Sequence, residues 1–354
     1  MNKILATTDL STNSKAGLRF AMQLADQLKC ELIFYYAIEV LKPISWSSQK
    51  YDSYLNLEKE SYKPLLEKFI IELYAKSGLK PVKYTCIVET GEFFDFMVER
   101  NLLDLLSKTG KQAGGYCTFI QDYQSPFIFA NFNGTSHDVD VLTHEAGHAF
   151  QTYESRWINE PEIVFPNYES CEIHSMSMEF IAWPWMESFF EDQTNKYKFN
   201  HLASALQFLP YGVLVDHFQQ KVYENPTWTA EERNACWREL EKQYCPERNY
   251  DLFPEMEKGI YWFRQGHIFT SPFYYIDYTL AQVCAFQFWK RFNVEQDPTA
   301  WQDYLAICQV GGTKTFLEIL DIAHLRSPFE AGALDETITM VDEYLTHVSE
   351  EEIQ

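Results

Sequence analysis

Two histidines separated by three residues are the side chains best placed for chemistry in this sequence. His144 and His148 lie in the run Asp138–Glu154, which also contains Glu145. If this run is helical, residues four apart share one face, one turn above the other. Their imidazoles can then bind a single metal ion, and the glutamate beside the first of them can reach a water molecule on that ion. The spacing therefore predicts a metal site on one helical face, with a carboxylate base beside it.

A catalytic zinc ion usually has three protein ligands and an open fourth position for water. Two carboxylates, Glu172 and Glu179, follow in the run 171–190, which reads as a second helix. They are seven residues apart, two helical turns, and share a similar face, so spacing alone leaves the choice of third ligand open. His174 lies off that face and is expected to be a packing residue. Two histidines with this spacing and a distant carboxylate are typical of zinc peptidases.

The chemistry of such a site needs further groups. Glu145 would take a proton from the metal-bound water as that water attacks a peptide carbonyl, and would then give it to the leaving amine. The developing oxyanion needs a second donor, which the aromatic run 267–278 can supply. Taken alone, this run reads as a helix start with Phe273 and Tyr274 in the core. Asp140 is either a partner of a metal-binding histidine or an acidic first-turn residue that complements the helix dipole.

Composition limits the classes of function. The chain has 354 residues, 46% hydrophobic and 23% charged, which is typical of a globular protein of about two domains. A net charge of −22 argues against nucleic-acid binding, which needs a basic surface. No run approaches the roughly 18 apolar residues of a membrane span, and Asp9 comes too early for a secretory signal, so a cytoplasmic location is expected. The eight scattered cysteines are expected to be free thiols.

Charge is unevenly distributed along the chain. Residues 1–88 hold 12 basic and 9 acidic residues, whereas the remainder holds 17 and 42, which suggests two pieces of different origin. The first piece is predicted to form an α/β half-domain with the order βαβαβ and a parallel sheet. Its expected strands and helices are residues 3–8, 14–28, 31–40, 51–77 and 82–88. Asp9, after the first strand, can be a turn residue or a helix N-cap.

The rest of the chain is predicted to be mainly α-helical, with a small antiparallel β element. An amphipathic helix is expected over 93–106, and a β-hairpin from the runs 116–120 and 127–132. Ser136 or Asp138 is expected to cap the helix that contains His144 and His148, called the metal helix below. Pro210 is among the prolines expected to mark breaks. Apolar residues recur at helical spacing, and predict helices, over residues 202–214, 230–243, 253–265, 281–292, 301–307 and 336–348.

Residues 91–354 resemble the catalytic part of oligoendopeptidase F, in the thimet oligopeptidase superfamily. The motifs that carry the resemblance are AGGYCTF (113–119), PFIFANFNGTS (126–136), DVDVLTHEAGHAFQ (138–151), ESCEIHSMSMEF (169–180) and HIFTSPFYYIDY (267–278). The resemblance implies a zincin-like catalytic domain, one zinc ion per chain and short peptides as substrates. It favours Glu172 as the third ligand beside His144 and His148. It also implies that His267, Tyr275 and Tyr278 line the substrate channel, with Tyr278 as first choice for the oxyanion partner.

Residues 1–90 resemble the first half of a universal stress protein. The matching features are KILATTDLS at the start, the block AMQLADQLKCELIFYYAIEV and PISW at 43–46. In that family the aspartate matching Asp9 helps to hold a nucleotide base, but the Gly-rich phosphate loop of the second half has no counterpart here. The resemblance also implies that this segment replaces the N-terminal helical half of the longer peptidases, which forms one wall of their channel.

Two functions follow from these observations. The first is a zinc-dependent endopeptidase that hydrolyses short peptides, with water activated by Glu145. The second is a stress-response module that binds a nucleotide or a partner and carries an inactive, zinc-binding peptidase remnant. Neither the peptide preference nor the oligomeric state follows from the sequence.

Overall fold

The computed structural model describes residues 3–8, 14–38, 48–90 and 92–349. The chain divides into two compact units, Met1–Asn101 and Leu102–Gln354. Asp9 and the PISW segment at 43–46 lie outside the described residues. Within the described part, no helix combines the length and the apolar character that crossing a bilayer requires. All eight cysteines are described and are free thiols, as expected, and four of them are buried.

The first unit contains three parallel strands, and its elements alternate between strand and helix. They are β1 (Lys3–Thr8), α1 (Lys15–Leu28), β2 (Glu31–Ile38), α2 (Ser48–Ser77), β3 (Tyr84–Thr90) and α3 (Glu92–Glu99). The sheet order is β1-β2-β3. Leu18 and Met22, one turn apart on α1, are fully buried with Phe34 of β2 and Ile70 of α2, because helical spacing puts the apolar side chains on one face. The assignment of this unit to the universal stress proteins stays a prediction.

The helix expected over 93–106 is wrong in its last part. Helix α3 ends at Glu99, and Asn101 adopts a left-handed conformation with φ of 55°, which asparagine tolerates better than most residues. Residues 103–106 form the strand β4 (Leu103–Leu106). Over four residues, the apolar run LDLL fits both the helical and the strand period of apolar residues. Pairing with another strand makes it a strand.

The second unit has a three-stranded sheet beside its helices. The expected antiparallel hairpin is present as β5 (Tyr116–Ile120) and β6 (Ser125–Phe132), and β4 adds to the other edge of β6 in a parallel direction. The order is therefore β4-β6-β5. Among the described residues, β5 pairs with a strand on one edge only.

Ten helices of the described part follow the sheet. They are α4 (Ser136–Glu154), α5 (Tyr168–Ile181), α6 (Glu187–Phe190), α7 (Thr194–Glu224), α8 (Ala230–Tyr244), α9 (His267–Thr270), α10 (Tyr275–Trp289), α11 (Ala300–Gln309), α12 (Phe316–Ile322) and α13 (Asp335–His347).

Three sequence-based expectations for these helices are wrong. The single helix expected over 171–190 ends at Ile181, and a 3-10 turn at Trp183–Trp185 separates it from α6. Pro210 does not break a helix, because α7 continues through it from residue 194 to residue 224. The helix expected over 253–265 is replaced by two short 3-10 turns, Pro254–Lys258 and Tyr261–Arg264. Between the turns, Gly259 has a φ of 81° and lies so close to Asn234 that a Cβ would be 1.9 Å from its carbonyl oxygen.

Helix α10 lies at the centre of the second unit. Its residues Cys284, Ala285, Phe286, Phe288 and Trp289 are all fully buried, and a helix that is apolar on every side belongs in the interior of a protein. It packs against α5 and α7, and α5 packs in turn against α4. This arrangement places the two helices with the candidate ligands on a rigid support.

Candidate metal centre

The start of α4 is fixed by a capping arrangement that differs from the expected one. The N-cap residue is Thr135, not Ser136 or Asp138. Asp138 instead occupies the third helical position, where its carboxylate accepts hydrogen bonds from the backbone amides of Asn133 at 2.9 Å and Gly134 at 2.6 Å. Thr135 and Asp138 together form a reciprocal cap, which satisfies amides that have no partner within the helix. It fixes where α4 begins, and so which face carries the two histidines.

Three candidate ligand atoms converge between α4 and α5. Glu172 Oε2 lies 3.2 Å from His144 Nε2 and 3.3 Å from His148 Nε2, and all three atoms lie within 4.8 Å of one another. Tetrahedral zinc with ligand bonds of about 2.0–2.1 Å separates its ligand atoms by roughly 3.3–3.4 Å. Two imidazole nitrogens and a carboxylate oxygen also form a donor set found at catalytic zinc sites. The residues therefore fit a zinc ion in both chemistry and spacing.

The charges of Glu172 and the two histidines favour the binding of a cation. Burial would raise the pKa of Glu172, but the two histidines hold it well below its ordinary value, so the carboxylate stays ionised. Burial would lower the pKa of His144, but its hydrogen bonds with Glu172 and Glu179 raise it well above the ordinary value. A bound cation can take the place of those protons.

Glu145 lies on α4 next to the first histidine and is 7% exposed. Burial raises the pKa of its carboxyl group, while His144 and His148 act in the opposite direction. The backbone N–H of Cys117 also acts to lower this pKa, and a Cβ at Gly115 would lie 3.5 Å from Glu145 Oε1. The start of β5 thus lies close to the candidate base.

Helices α4 and α5 approach each other closely at Gly147, which the sequence analysis did not single out. A Cβ there would lie 2.6 Å from the His174 carbonyl oxygen and 2.6 Å from the Ser175 Cα atom. Both are backbone atoms, so neither can move aside easily. The absence of a side chain lets α5 come near enough for Glu172 to meet the histidines.

Glu172 and Glu179, the two rival carboxylates, contact different atoms of the same histidine. Glu172 faces His144 Nε2, as described above, whereas Glu179 Oε1 lies 2.7 Å from His144 Nδ1. Asp140, the other candidate partner of this ring, accepts from the Tyr197 hydroxyl at 2.8 Å instead. Glu179 therefore occupies the position that orients a ligand from behind.

Two further side chains hold Glu172. The Ser175 hydroxyl donates to its Oε2 at 2.8 Å, and the Tyr274 hydroxyl donates to its Oε1. Tyr274 was expected in the core, and only its place beside Tyr275 in an aromatic run could have drawn attention to it. His174, in contrast, is a packing residue as expected: it is fully buried, its Nε2 lies 3.3 Å from the Ile307 carbonyl oxygen, and burial lowers its pKa to about 4.

The aromatic run brings His267, Tyr275 and Tyr278 together. His267 begins α9 and Tyr275 begins α10. The Tyr278 hydroxyl lies 3.5 Å from His267 Nε2, and the Tyr275 ring centroid lies 5.2 Å from that of His267. The charge of Glu172 acts on both His267 and Tyr278, so the run faces the candidate metal centre.

Two histidines and a glutamate on crossing helices, with a buried glutamate beside the first histidine, define a site of the metallopeptidase type. The chain belongs to peptidase family M3, whose sequence profile matches residues 66–338. The match begins inside α2, before the boundary near residue 90 that the charge distribution suggests.

Several known proteins are similar to this chain in sequence and fold. The chain is 26% identical over 292 residues to an oligoendopeptidase F homologue of Borreliella burgdorferi, which covers 77% of this chain and 46% of that protein. A crystal structure assigned to an oligoendopeptidase F shares 56% identity, with a TM-score of 0.71 over 75% of this chain and 46% of the other. One from Bacillus anthracis shares 39% identity, with a TM-score of 0.64 over 97% of this chain and 64% of the other. The chain thus spans less than half the length of the Borreliella relative.

Proposed function

We propose that this chain is a zinc-dependent endopeptidase that hydrolyses short peptides. The observation that carries the proposal is the convergence of His144 Nε2, His148 Nε2 and Glu172 Oε2 within 4.8 Å. These three residues would hold one zinc ion per chain. Membership of peptidase family M3 and the oligoendopeptidase F relatives support peptide bonds as the target.

The base in this proposal is Glu145. When bound, zinc supplies Lewis-acid chemistry, polarising a carbonyl and lowering the pKa of water. Glu145 takes a proton from the attacking water and gives it to the leaving amine. Burial raises the pKa of its carboxyl group, which suits a group that must hold a proton between two steps. The start of β5 packs close to the carboxylate, since a Cβ at Gly115 would lie 3.5 Å from Glu145 Oε1.

The oxyanion partner in this proposal is Tyr278. Burial raises the pKa of its phenol, so the hydroxyl keeps its proton and can donate it in a hydrogen bond as negative charge develops on the substrate. Burial also lowers the pKa of His267, which leaves this neighbour neutral and able to orient the hydroxyl. Tyr275, packed against His267, adds an aromatic wall for the peptide.

The edge of β5 offers a place for the peptide backbone. Among the described residues this edge has no strand partner, and its start lies close to the base, since a Cβ at Gly115 would be 3.5 Å from Glu145 Oε1. An extended peptide can add to an exposed strand edge through main-chain hydrogen bonds. This binding mode would present a carbonyl beside Glu145 without requiring a particular side chain, as expected of an enzyme that accepts varied short peptides.

In this proposal residues 91–354 carry the catalytic machinery and residues 1–90 form a separate domain. The three candidate ligands and Glu145 all lie between residues 144 and 172. The relative from Borreliella burgdorferi is about twice as long as the matched region, and positioning of substrate supplies much of the rate of an enzyme. Turnover by this chain is therefore the point to test first.

The test is hydrolysis of a mixed set of short quenched-fluorescent peptides by the full chain loaded with zinc. We expect cleavage by the wild-type protein, loss of cleavage on chelation, and at least a hundredfold loss in Glu145→Gln, since general-base catalysis typically contributes 10²–10⁴-fold. Glu162→Gln, at an exposed position of the same unit, is the matched control and should cleave normally. Absence of cleavage by a wild-type chain that holds one zinc ion would refute the proposal.

A further inference from the structure

Four side chains form a continuous hydrogen-bonded row that ends at a candidate metal ligand. Trp183 Nε1 lies 2.9 Å from His201 Nδ1, and His201 Nε2 lies 2.8 Å from Glu179 Oε2. The other oxygen of Glu179 lies 2.7 Å from His144 Nδ1. The row joins four elements, since Trp183 belongs to the 3-10 turn Trp183–Trp185, His201 to α7, Glu179 to α5 and His144 to α4. Spacing along the sequence gave no sign of it.

The chemistry of the indole fixes the direction of every hydrogen bond in this row. Indole N–H can only donate, so His201 Nδ1 must accept and carries no hydrogen. The hydrogen of the neutral ring then lies on Nε2, which donates to Glu179. A carboxylate accepts through both oxygens, so His144 Nδ1 must be the donor on the other side. In the neutral ring that a metal ion needs, His144 Nε2 then carries the lone pair, and this atom faces Glu172 and His148.

Packing holds the middle of the row still. The His201 ring stacks on Phe180 at 4.8 Å and on Tyr197 at 5.5 Å between centroids. The Tyr197 hydroxyl donates to Asp140 on α4 at 2.8 Å, which ties α7 to the metal helix a second time. A ring stacked on two other rings cannot turn over freely to exchange its two nitrogens.

We propose that Trp183 and His201 are positioning residues for the metal site: through Glu179, they hold His144 in the tautomer whose Nε2 can bind zinc. The inference rests on the proposed zinc site but not on peptide cleavage. Groups behind a metal ligand typically change metal affinity by 10–100-fold when they are removed. Three hydrogen bonds of this row separate Trp183 from the ligand His144. Removing Trp183 should therefore weaken zinc binding less than removing His201.

A cavity provides a specific way to test the role of His201. It has a volume of about 360 Å³ and is lined by His201, Tyr197, Asp140 and Asn200 among others. In His201→Ala the missing ring would leave a space that opens into this cavity. Free imidazole can enter such a space and restore both hydrogen bonds, whereas a variant with general damage to the fold would not respond.

The experiment measures zinc affinity of the full chain by competition with a chromophoric chelator. We expect His201→Ala to bind zinc ten- to a hundredfold more weakly and to recover at least half of that loss, on a logarithmic scale, with millimolar imidazole. Trp183→Phe should lose a smaller factor, between twofold and tenfold, without response to imidazole. Trp185→Phe, in the same turn but 61% exposed, is the matched control and should bind as the wild-type protein does.

Unchanged zinc affinity in both His201→Ala and Trp183→Phe would overturn the proposal. Because the variants can fail to fold, the wild-type chain loaded with zinc is also examined by ¹⁵N NMR of its histidine side chains. Hydrogen on Nε2 of His201 and on Nδ1 of His144 is the expected result, and the opposite tautomer of either ring would overturn it. If zinc binds but no peptide is cleaved, the proposed function fails while this inference is still tested.

Discussion

The two oxygens of the Glu172 carboxylate have separate tasks. Oε2 faces the two histidines and accepts from Ser175, whereas Oε1 accepts from the Tyr274 hydroxyl. With Oε1 held from α10's side, the carboxylate plane cannot rotate freely. A hydrogen bond to a charged group contributes about 1.5–3 kcal/mol, so the tyrosine is expected to matter for how firmly Oε2 is presented to a metal.

Tyr274→Phe tests this directly, since it removes the hydroxyl and keeps the ring. We expect zinc binding to weaken by roughly ten- to a hundredfold, because each ~1.4 kcal/mol corresponds to a factor of ten. The dissociation constant can be measured with a competing chelator. Tyr168→Phe is the control, because the Tyr168 ring packs on Tyr274 at 5.1 Å while its own side chain is 72% exposed. Equal affinities in the two variants would show that the hydroxyl does not hold the ligand.

A buried carboxyl group near the site predicts a dependence of stability on pH. Burial raises the pKa of Asp277 to about 7, and the negative charges of Glu169, Glu172 and Asp216 add to the effect. In an unfolded chain the pKa of aspartate is about 3.9. The folded protein therefore binds more protons than the unfolded chain between about pH 4 and pH 7, and this residue lowers stability as pH rises through that window.

Asp277→Asn should remove this loss. We expect the metal-free variant to match the metal-free wild-type protein near pH 4 and to become more stable than it up to about pH 7, by at most a few kcal/mol at ~1.4 kcal/mol per pKa unit. Urea unfolding at several pH values measures the difference. Asp251→Asn, at an exposed turn, should give a constant difference. A stability gain for Asp277→Asn that does not grow with pH would contradict the assignment.

At the level of helices, the site depends on one close crossing. Gly147 lies on α4 between the two histidines, and a Cβ there would meet the backbone of His174 and Ser175 at 2.6 Å. Gly147→Ala must therefore push α5 away and move Glu172 with it. We expect a loss of about 1–3 kcal/mol in unfolding free energy, as for other overpacked sites, and at least a tenfold weaker zinc affinity. Chemical denaturation and chelator competition measure the two effects.

Gly17→Ala is the matched control for this crossing. Gly17 lies within α1, and nothing is found within 4 Å of a Cβ built there. Alanine is favoured over glycine inside a helix by about 0.5–1 kcal/mol, so this variant should be slightly more stable, with unchanged zinc affinity. If Gly147→Ala behaved in the same way, the close approach of the two helices would not be what positions Glu172.

The same crossing explains which parts of the site were predictable. The common face of His144 and His148, and the place of Glu145 beside the first of them, follow from spacing within one helical turn. The choice between Glu172 and Glu179 does not, because both share a similar face of α5 and only the crossing with α4 separates them. The roles of Tyr274 and His201 depend on α10 and α7, far away in sequence, and no local pattern contains such contacts.

Elements were predictable where their hydrophobic period extends over several turns. The metal helix and the hairpin of β5 and β6 have long or well-bounded patterns and are present as expected. The run 103–106 is too short for the spacing of its apolar residues to distinguish helix from strand. Its pairing with β6 makes it a strand. Pro210 is tolerated because α7 is long and its flanking residues Leu209 and Leu214 are buried, so packing outweighs the lost backbone hydrogen bond.

For the molecule as a whole, the metal centre and the rest of the substrate site have different requirements. The candidate ligands come from α4 and α5, which follow each other directly in one compact unit. The site can therefore assemble in a chain that spans 46% of the relative from Borreliella burgdorferi. In the proposed function, holding a peptide in register would involve a larger surface, including the β5 edge and the aromatic run, and this surface would decide which peptides are cleaved.

Charge on that larger scale predicts a preference among peptides. The net charge is −22, and the chain after residue 88 holds 42 acidic and 17 basic residues. The negative charges of Glu169 and Asp216 act on Asp277 beside the candidate site. A negative field around a cleft attracts cationic substrates and raises their association rate by tenfold or more at low ionic strength.

We therefore expect kcat/KM for a lysine-containing peptide to exceed that of its glutamate-containing counterpart by about tenfold at ~10 mM salt. The ratio should fall towards one at ~1 M salt, where the Debye length is about 3 Å. A neutral peptide of the same length is the control, and its kcat/KM should change little with salt. A preference that persists at high salt would indicate direct contacts with the charged side chain, whereas no preference at low salt would mean that the acidic surface lies away from the path of the substrate.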